Sequence, residues 1–316
     1  MSDATRTDAG HGLQGWGAAA ALALATAFLC SLHPTLLILV PLALLLVALP
    51  PRRPALVVGA VLLLWFVFSG SSSGPLWYVE RGWALLLAGW FIAFGALWPR
   101  RSFIARGLAS VAATSATAAL IIVSSRSGPG FVDGLVSERM RLAASESIMA
   151  LTAMLGFERV SSRMQDAFFA AADLQVLVFP ALLALGSLAG LAVAWFAYRR
   201  LGIGDAKPLG RLREFRFPDD LVWVLIAGIL LLVLPLGAVA ERAGTNLLTF
   251  MAALYALRGL AVLLVIAGVP GPLGMVVGGV LVLLLYPLIM AMTVLIGVTD
   301  TWLDIRARRA AVPPSS

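Results

Sequence analysis

Hydrocarbon rejects ionised and strongly polar side chains, and three residues toward the C-terminal end of the chain stand against that rule: Arg258, Asp300 and Asn246. Arg258 falls midway along an apolar run from about 245 to 268, where a charge costs at least about 2.5 to 3.5 kcal/mol on insertion scales. It must face protein or water. Asp300 ends the next apolar run, and Asn246 opens the run that carries Arg258. Two chemistries fit this set: a structural pair between Arg258 and a carboxylate, or a site for a small solute, an anion or a proton. Twelve residues separate Asn246 from Arg258, about 18 Å along a helix, so the two share one small site only if the helix breaks between them. Asp300 and Asp304 lie four apart on one helix face, but Asp304 is also four before Arg308. A surface ion pair explains that spacing more simply than a metal does.

Other chemistries lack their residues. The chain has no HExxH, GxSxG or GxxxxGK[ST] pattern, and its two histidines, His11 and His33, are far apart. No carboxylate stands at mid-span, as an intramembrane hydrolase would need. Cys30 is the single cysteine, so neither an internal disulfide nor a thiolate metal cluster forms. No catalytic, cofactor-binding or metal-binding residue is assigned, and the chain reads as a non-enzyme. Without a phosphate-cradling loop it does not drive transport by ATP itself; pumping needs a partner or an ion gradient.

The elements that must carry these residues follow from composition. A hydrophobic fraction of 61%, a mean hydropathy of +0.97 and 12% charged residues describe a chain whose main solvent is lipid. A bilayer core takes about 20 apolar residues per helix. Nine apolar segments can be drawn, at about 14–32, 35–50, 54–70, 82–98, 103–123, 174–197, 219–237, 245–268 and 273–298. The expected fold is all-α, a polytopic transmembrane helical bundle of eight or nine hydrophobic segments. His33 and Pro34 break the first run from the second. The N-terminus lacks a basic region ahead of its apolar run, so that run is expected to stay as a span.

Loop charge sets the orientation. The net charge of +7 comes almost wholly from arginines scattered among short loops, which speaks for topology and against nucleic acid. Gaps after the second, fourth and sixth segments hold Arg52, Arg53, Arg100, Arg101, Arg106 (just inside the fifth segment), Arg199, Arg200, Lys207, Arg211, Arg213 and Arg216 against only Asp205 and Glu214. These face the cytoplasm, which puts the N-terminus there too. Nine crossings would then leave Arg306, Arg308 and Arg309 outside, against the rule, and eight crossings is the alternative.

Four regions result: an N-terminal transmembrane half at 1–123, an outer loop at 124–173, a C-terminal transmembrane half at 174–298 and a basic tail at 299–316. In the loop, Val136, Met140, Ala144, Ile148, Leu151, Leu155, Val160, Met164 and Phe168 recur at helical spacing among charges. They describe one amphipathic helix or two, lying on the membrane surface or packed over the mouth of the bundle.

A resemblance enters through the last third. Trp195-Phe196-Ala197-Tyr198-Arg199-Arg200-Leu201-Gly202, Arg213-Glu214-Phe215-Arg216-Phe217-Pro218-Asp219-Asp220-Leu221-Val222-Trp223, Asn246-Leu247-Leu248, Leu257-Arg258-Gly259-Leu260-Ala261-Val262 and Ile296-Gly297-Val298-Thr299-Asp300-Thr301-Trp302-Leu303-Asp304-Ile305-Arg306 resemble the YybS-like family of bacterial multi-pass membrane proteins. That family is distantly similar to the substrate-binding subunits of energy-coupling-factor transporters, which implies a small-solute binding or transport component of the bacterial plasma membrane. The competing class is a non-transporting membrane scaffold or assembly protein. Ala19, Ala23 and Ala27, with Ala21 and Ala25, give the first segment small-residue faces that either pack internally or admit a partner membrane protein. Gly186 with Gly190, and Gly274 with Gly278, allow the same two uses. The partners expected are therefore the lipid bilayer, a small solute and a partner membrane protein.

Overall fold

The computed structural model describes residues 34–49, 53–68, 75–125, 128–155, 161–201, 209–210, 212–268, 271, 274, 277–278 and 284–310. The first apolar segment, with its alanine faces, Cys30 and His33, lies outside these residues. Among the described residues the fold is all-α and has no strand. Pro75–Leu97, Phe103–Ser124, Ser162–Leu201 and Ala238–Ile266 are long and apolar enough to cross a membrane, and Thr35–Ala48, Pro54–Trp65 and Pro287–Leu303 are shorter apolar helices. The chain divides into two compact units, 1–209 and 210–316.

In the first unit Pro34–Ala48 (α1) and Arg53–Phe68 (α2) form a hairpin. Gly59 lets them close, since a Cβ there would stand 2.9 Å from the Leu46 Cβ. α1 contains Pro41, which has no N–H to give to the carbonyl of Leu37 four residues back. Gly190, on Ser162–Leu201, covers that carbonyl: an added Cβ would lie 2.7 Å from the oxygen. Gly190 thus serves packing within the chain. Leu42, Leu46 and Ala194 are buried together there, and the Tyr198 hydroxyl donates to the Leu49 carbonyl at 2.5 Å.

Pro75–Leu97 (α3) begins several residues before the expected 82, so Glu80 and Arg81 stand inside a helix and are buried. The Arg81 guanidinium lies 3.9 Å over the Trp77 ring. Phe103–Ser124 (α4) matches its expected segment closely and is capped by Ser102, whose hydroxyl accepts from the Ala105 amide. The Trp83 indole N–H donates to Ser187 at 2.9 Å and Trp90 donates to Thr117 at 3.1 Å, so polar groups inside the bundle are tied helix to helix.

The expected outer loop is mostly helix. Gly128–Leu155 (α5) is followed by Ser162–Leu201 (α6), 40 residues and therefore about 60 Å long, roughly twice the hydrocarbon thickness. Val136, Met140 and Ala144 of α5 are buried against Ala172 of α6, with Val132, Phe168, Val176 and Phe179 around them. This part of the apolar stripe is used between the two helices, not against lipid. Arg139 donates to Glu80 at 2.5 Å and so fixes α5 to α3.

In the second unit a 3-10 turn at Leu212–Glu214 is followed by another at Asp219–Leu221, which leads into Val222–Val233 (α7). α7 has 12 residues, about 18 Å, where the sequence suggests a span over 219–237. It ends before Pro235, and Gly237, at φ +92°, turns the chain into Ala238–Ile266 (α8). Gly228 lets α7 and α8 approach: its Cβ would be 3.2 Å from Leu247 and Leu248. Asn246 lies inside α8, two turns from its start, and does not open it. Tyr286–Leu303 (α9) is the helix of the last segment and runs on beyond 298, and Ile305–Ala310 (α10) follows.

Candidate functional site

α8 and α9 cross at glycine. A Cβ on Gly259 would run into the Thr293 carbonyl, and one on Gly297 into the Tyr255 carbonyl. Only hydrogen at both positions lets two backbones meet this closely. The crossing sets Arg258, next to Gly259, beside Asp300, one turn beyond Gly297.

Arg258 is 1% exposed, and the Asp300 side chain is fully buried. The Arg258 Nε donates to Asp300 Oδ2 at 3.0 Å and Nη2 to the Asp300 carbonyl at 3.3 Å. Nη1 donates to Asp219 Oδ1 at 2.6 Å. Phe217, 5.4 Å from the guanidinium, covers one face and packs edge-on against Tyr255. The sequence points to a carboxylate partner for Arg258. The structure supplies two, and they differ sharply: the Asp219 side chain is 64% exposed.

The other side of Asp300 is occupied by Arg306, whose Nη2 donates to Oδ2 at 2.8 Å. Six residues along an unbroken helix would turn Arg306 well away from Asp300, by roughly 240°. Asp304 prevents this by adopting φ +40°, the left-handed conformation that Asp tolerates better than most residues, and so ends α9. α10 then turns back. Arg306 Nη1 also donates to the carbonyls of Phe215 at 2.9 Å and Arg213 at 3.3 Å. Asp304 itself pairs with Arg216, so its ion pair is made across the fold; toward Arg308 it offers its backbone carbonyl.

The result is a chain of alternating charge, Asp219–Arg258–Asp300–Arg306, with no net charge of its own. Such balance is what a buried ion requires, because an unpaired one costs several kcal/mol. Asp300 Oδ1 is buried and has no hydrogen-bond partner. Asn246 is not part of this cluster. α8 runs unbroken from 246 to 258, which holds it about 18 Å away along the axis, and its side-chain amide donates to the Arg242 carbonyl. Of the three residues singled out in the sequence, the structure brings Arg258 and Asp300 together and leaves Asn246 apart; Asp219, Arg306 and the glycine pair are not among them. Among the described residues no group of three or more His, Cys, Asp or Glu is placed to hold a metal ion.

Membrane-length apolar helices and an ion-pair cluster closed within the protein define an integral membrane protein of the α-helical class. The chain belongs to the family described as "Predicted membrane protein (DUF2232)", which matches residues 17–301. Neither the curated proteins nor the solved structures offer a match to it.

Proposed function

We propose that this membrane protein is a small-solute binding or transport component of a bacterial plasma membrane, without enzymatic activity of its own and with its N-terminus in the cytoplasm. The finer resemblance, to YybS-like proteins and through them to the substrate-binding subunits of energy-coupling-factor transporters, belongs to this reading. A partner membrane protein or an ion gradient would then supply the energy. One observation carries it: buried Arg258 is paired on its outer side by Asp219, whose carboxylate is 64% exposed. Only the Asp219 side of this pair reaches solvent, so a solute carboxylate or phosphate can compete with Asp219 for the Arg258 Nη1 donor. Asp300 would stay in place and keep the guanidinium oriented. In this mechanism Asp219 occupies the solute position until an anion takes it.

A scaffold or assembly role is favoured by a different observation, the pairing of Arg258 with carboxylates on two sides, which fits a clamp as well as a site. The two readings separate on what the solubilised protein retains. Small molecules co-purifying with the wild-type chain, Asp219→Asn and Arg258→Leu are to be identified by mass spectrometry. A solute protein retains an anionic molecule, retains more of it when Asp219→Asn removes the competing charge, and loses it in Arg258→Leu. Retention that is equal in Arg258→Leu and wild type would sink the assignment, and retention of proteins alone would favour the scaffold.

A further inference from the structure

The geometry points to a second binding site, in the first unit and independent of Arg258: Arg106 binds a phosphate group, carried by an anionic lipid headgroup or by a soluble phosphate. Arg106 is 6% exposed, yet among the described residues no carboxylate pairs with it, and its Nε is buried without an acceptor. Arg258, also buried, has a carboxylate on each side. What Arg106 has are aromatic faces, with the Trp195 ring 5.0 Å and the Phe91 ring 5.8 Å from the guanidinium carbon. Phe103 packs edge-on against Phe91, and Trp195 also stands against it, so three helices build this shelf.

An aromatic face attracts a cation, but it offers nothing to the N–H donors that lie in the guanidinium plane. The attraction is also several-fold smaller than the cost of removing a guanidinium from water. An anion in that plane resolves both deficits. Two oxygens of a phosphate match the parallel N–H groups of the fork.

The surroundings select phosphate over an isolated carboxylate. Arg106 sits in the first turn of α4, where the helix dipole is positive. Arg100 and Arg101 precede it on an exposed turn, next to the exposed Trp98. A basic helix end bearing an interfacial tryptophan is suited to the phosphate level of an anionic leaflet. The shelf fixes the guanidinium and leaves its fork for the ligand.

The test uses the full-length chain in neutral detergent, followed by native mass spectrometry during titration with phosphatidylglycerol, phosphatidylcholine or inorganic phosphate. One phosphatidylglycerol should be retained in preference to phosphatidylcholine, and Arg106→Gln should weaken it by about tenfold, the loss of a charge-assisted bidentate contact. Arg213→Gln, exposed and in the other unit, should bind as wild type. Binding of inorganic phosphate without phosphatidylglycerol would assign the site to a soluble phosphate. In the wild-type chain, where folding of a variant is not at issue, either ligand should slow phenylglyoxal labelling of Arg106. Wild-type binding by Arg106→Gln, or labelling that neither ligand slows, overturns the proposal.

Discussion

Gly259 and Gly297 face each other across the crossing of α8 and α9: a Cβ on Gly297 would lie 2.9 Å from the Gly259 nitrogen, and one on Gly259 3.1 Å from the Gly297 nitrogen. The ion pair of Arg258 and Asp300 is built on this crossing, because the side chains meet only if the backbones do. The obstacles to a methyl group are backbone atoms, which cannot swing aside. Gly297→Ala or Gly259→Ala should therefore force the helices apart and cost about 1 to 3 kcal/mol. A fall in detergent melting temperature of several degrees is expected for both. Gly89→Ala, in a helix with open space at its Cα, should be neutral or slightly stabilising. If Gly297→Ala melts with the wild type, the close crossing does not exist.

The cluster should behave as one unit. Arg258→Leu strips Asp300 of one of its two cations, and Asp300→Leu leaves Arg258 and Arg306 confronting each other; breaking a buried pair in this way costs about 3 to 5 kcal/mol. The double variant should cost clearly less than the two singles together, since each single cost includes the charge left behind. Thermal unfolding of the four proteins in one detergent measures this. Additive losses would mean that the two residues act separately.

How far these relationships could be read from the chain depends on the kind of signal each leaves. Arg258 is legible because a charge interrupts an apolar run, and Asp300 because it stands at the end of the next. Asp219 and Arg306 leave no such mark: each sits among interfacial charges where an ordinary loop residue is expected. Gly259 and Gly297 are missed for another reason. The small-residue rule looks for glycines four apart on one helix, and here each helix contributes one. Gly190 was visible by that rule, but its partner, the Leu37 carbonyl left open by Pro41, depends on a fold in which the two helices meet. Helix ends were the least legible: hydropathy cannot separate the buried Glu80 and Arg81 inside α3 from loop charges, nor see that α6 begins 12 residues before its apolar part.

Glu80 should hold the hairpin of α5 and α6 in place. Its side chain is 5% exposed and that of Arg139 30%, so the pair is partly shielded, and neutralising Glu80 leaves the Arg139 guanidinium without this carboxylate. Glu80→Gln should raise hydrogen exchange across 128–155 while leaving exchange in α4 unchanged. Arg141→Gln removes a pair whose side chains are 63% and 61% exposed and should change neither. Equal protection of 128–155 in Glu80→Gln and wild type would show that apolar packing alone docks α5.

The tail and the loop before α7 should lie on one side of the membrane. Arg306 bonds to the carbonyls of Arg213 and Phe215, and Asp304 pairs with Arg216. Groups in contact occupy one level, so the chain between Arg216 and Asp304 must cross an even number of times, not the three that segments 219–237, 245–268 and 273–298 would give. Loop charge assigns Arg213 and Arg216 to the cytoplasm, and the tail with Arg308 then obeys the same rule. With Cys30→Ser as background, Glu214→Cys and Arg308→Cys should resist a membrane-impermeant maleimide in intact cells and react once the membrane is permeabilised. Ser147→Cys, in the outer loop, should react in intact cells. Labelling of Arg308→Cys from outside while Glu214→Cys stays protected would contradict the contacts of Arg306, and labelling of both would invert the whole orientation.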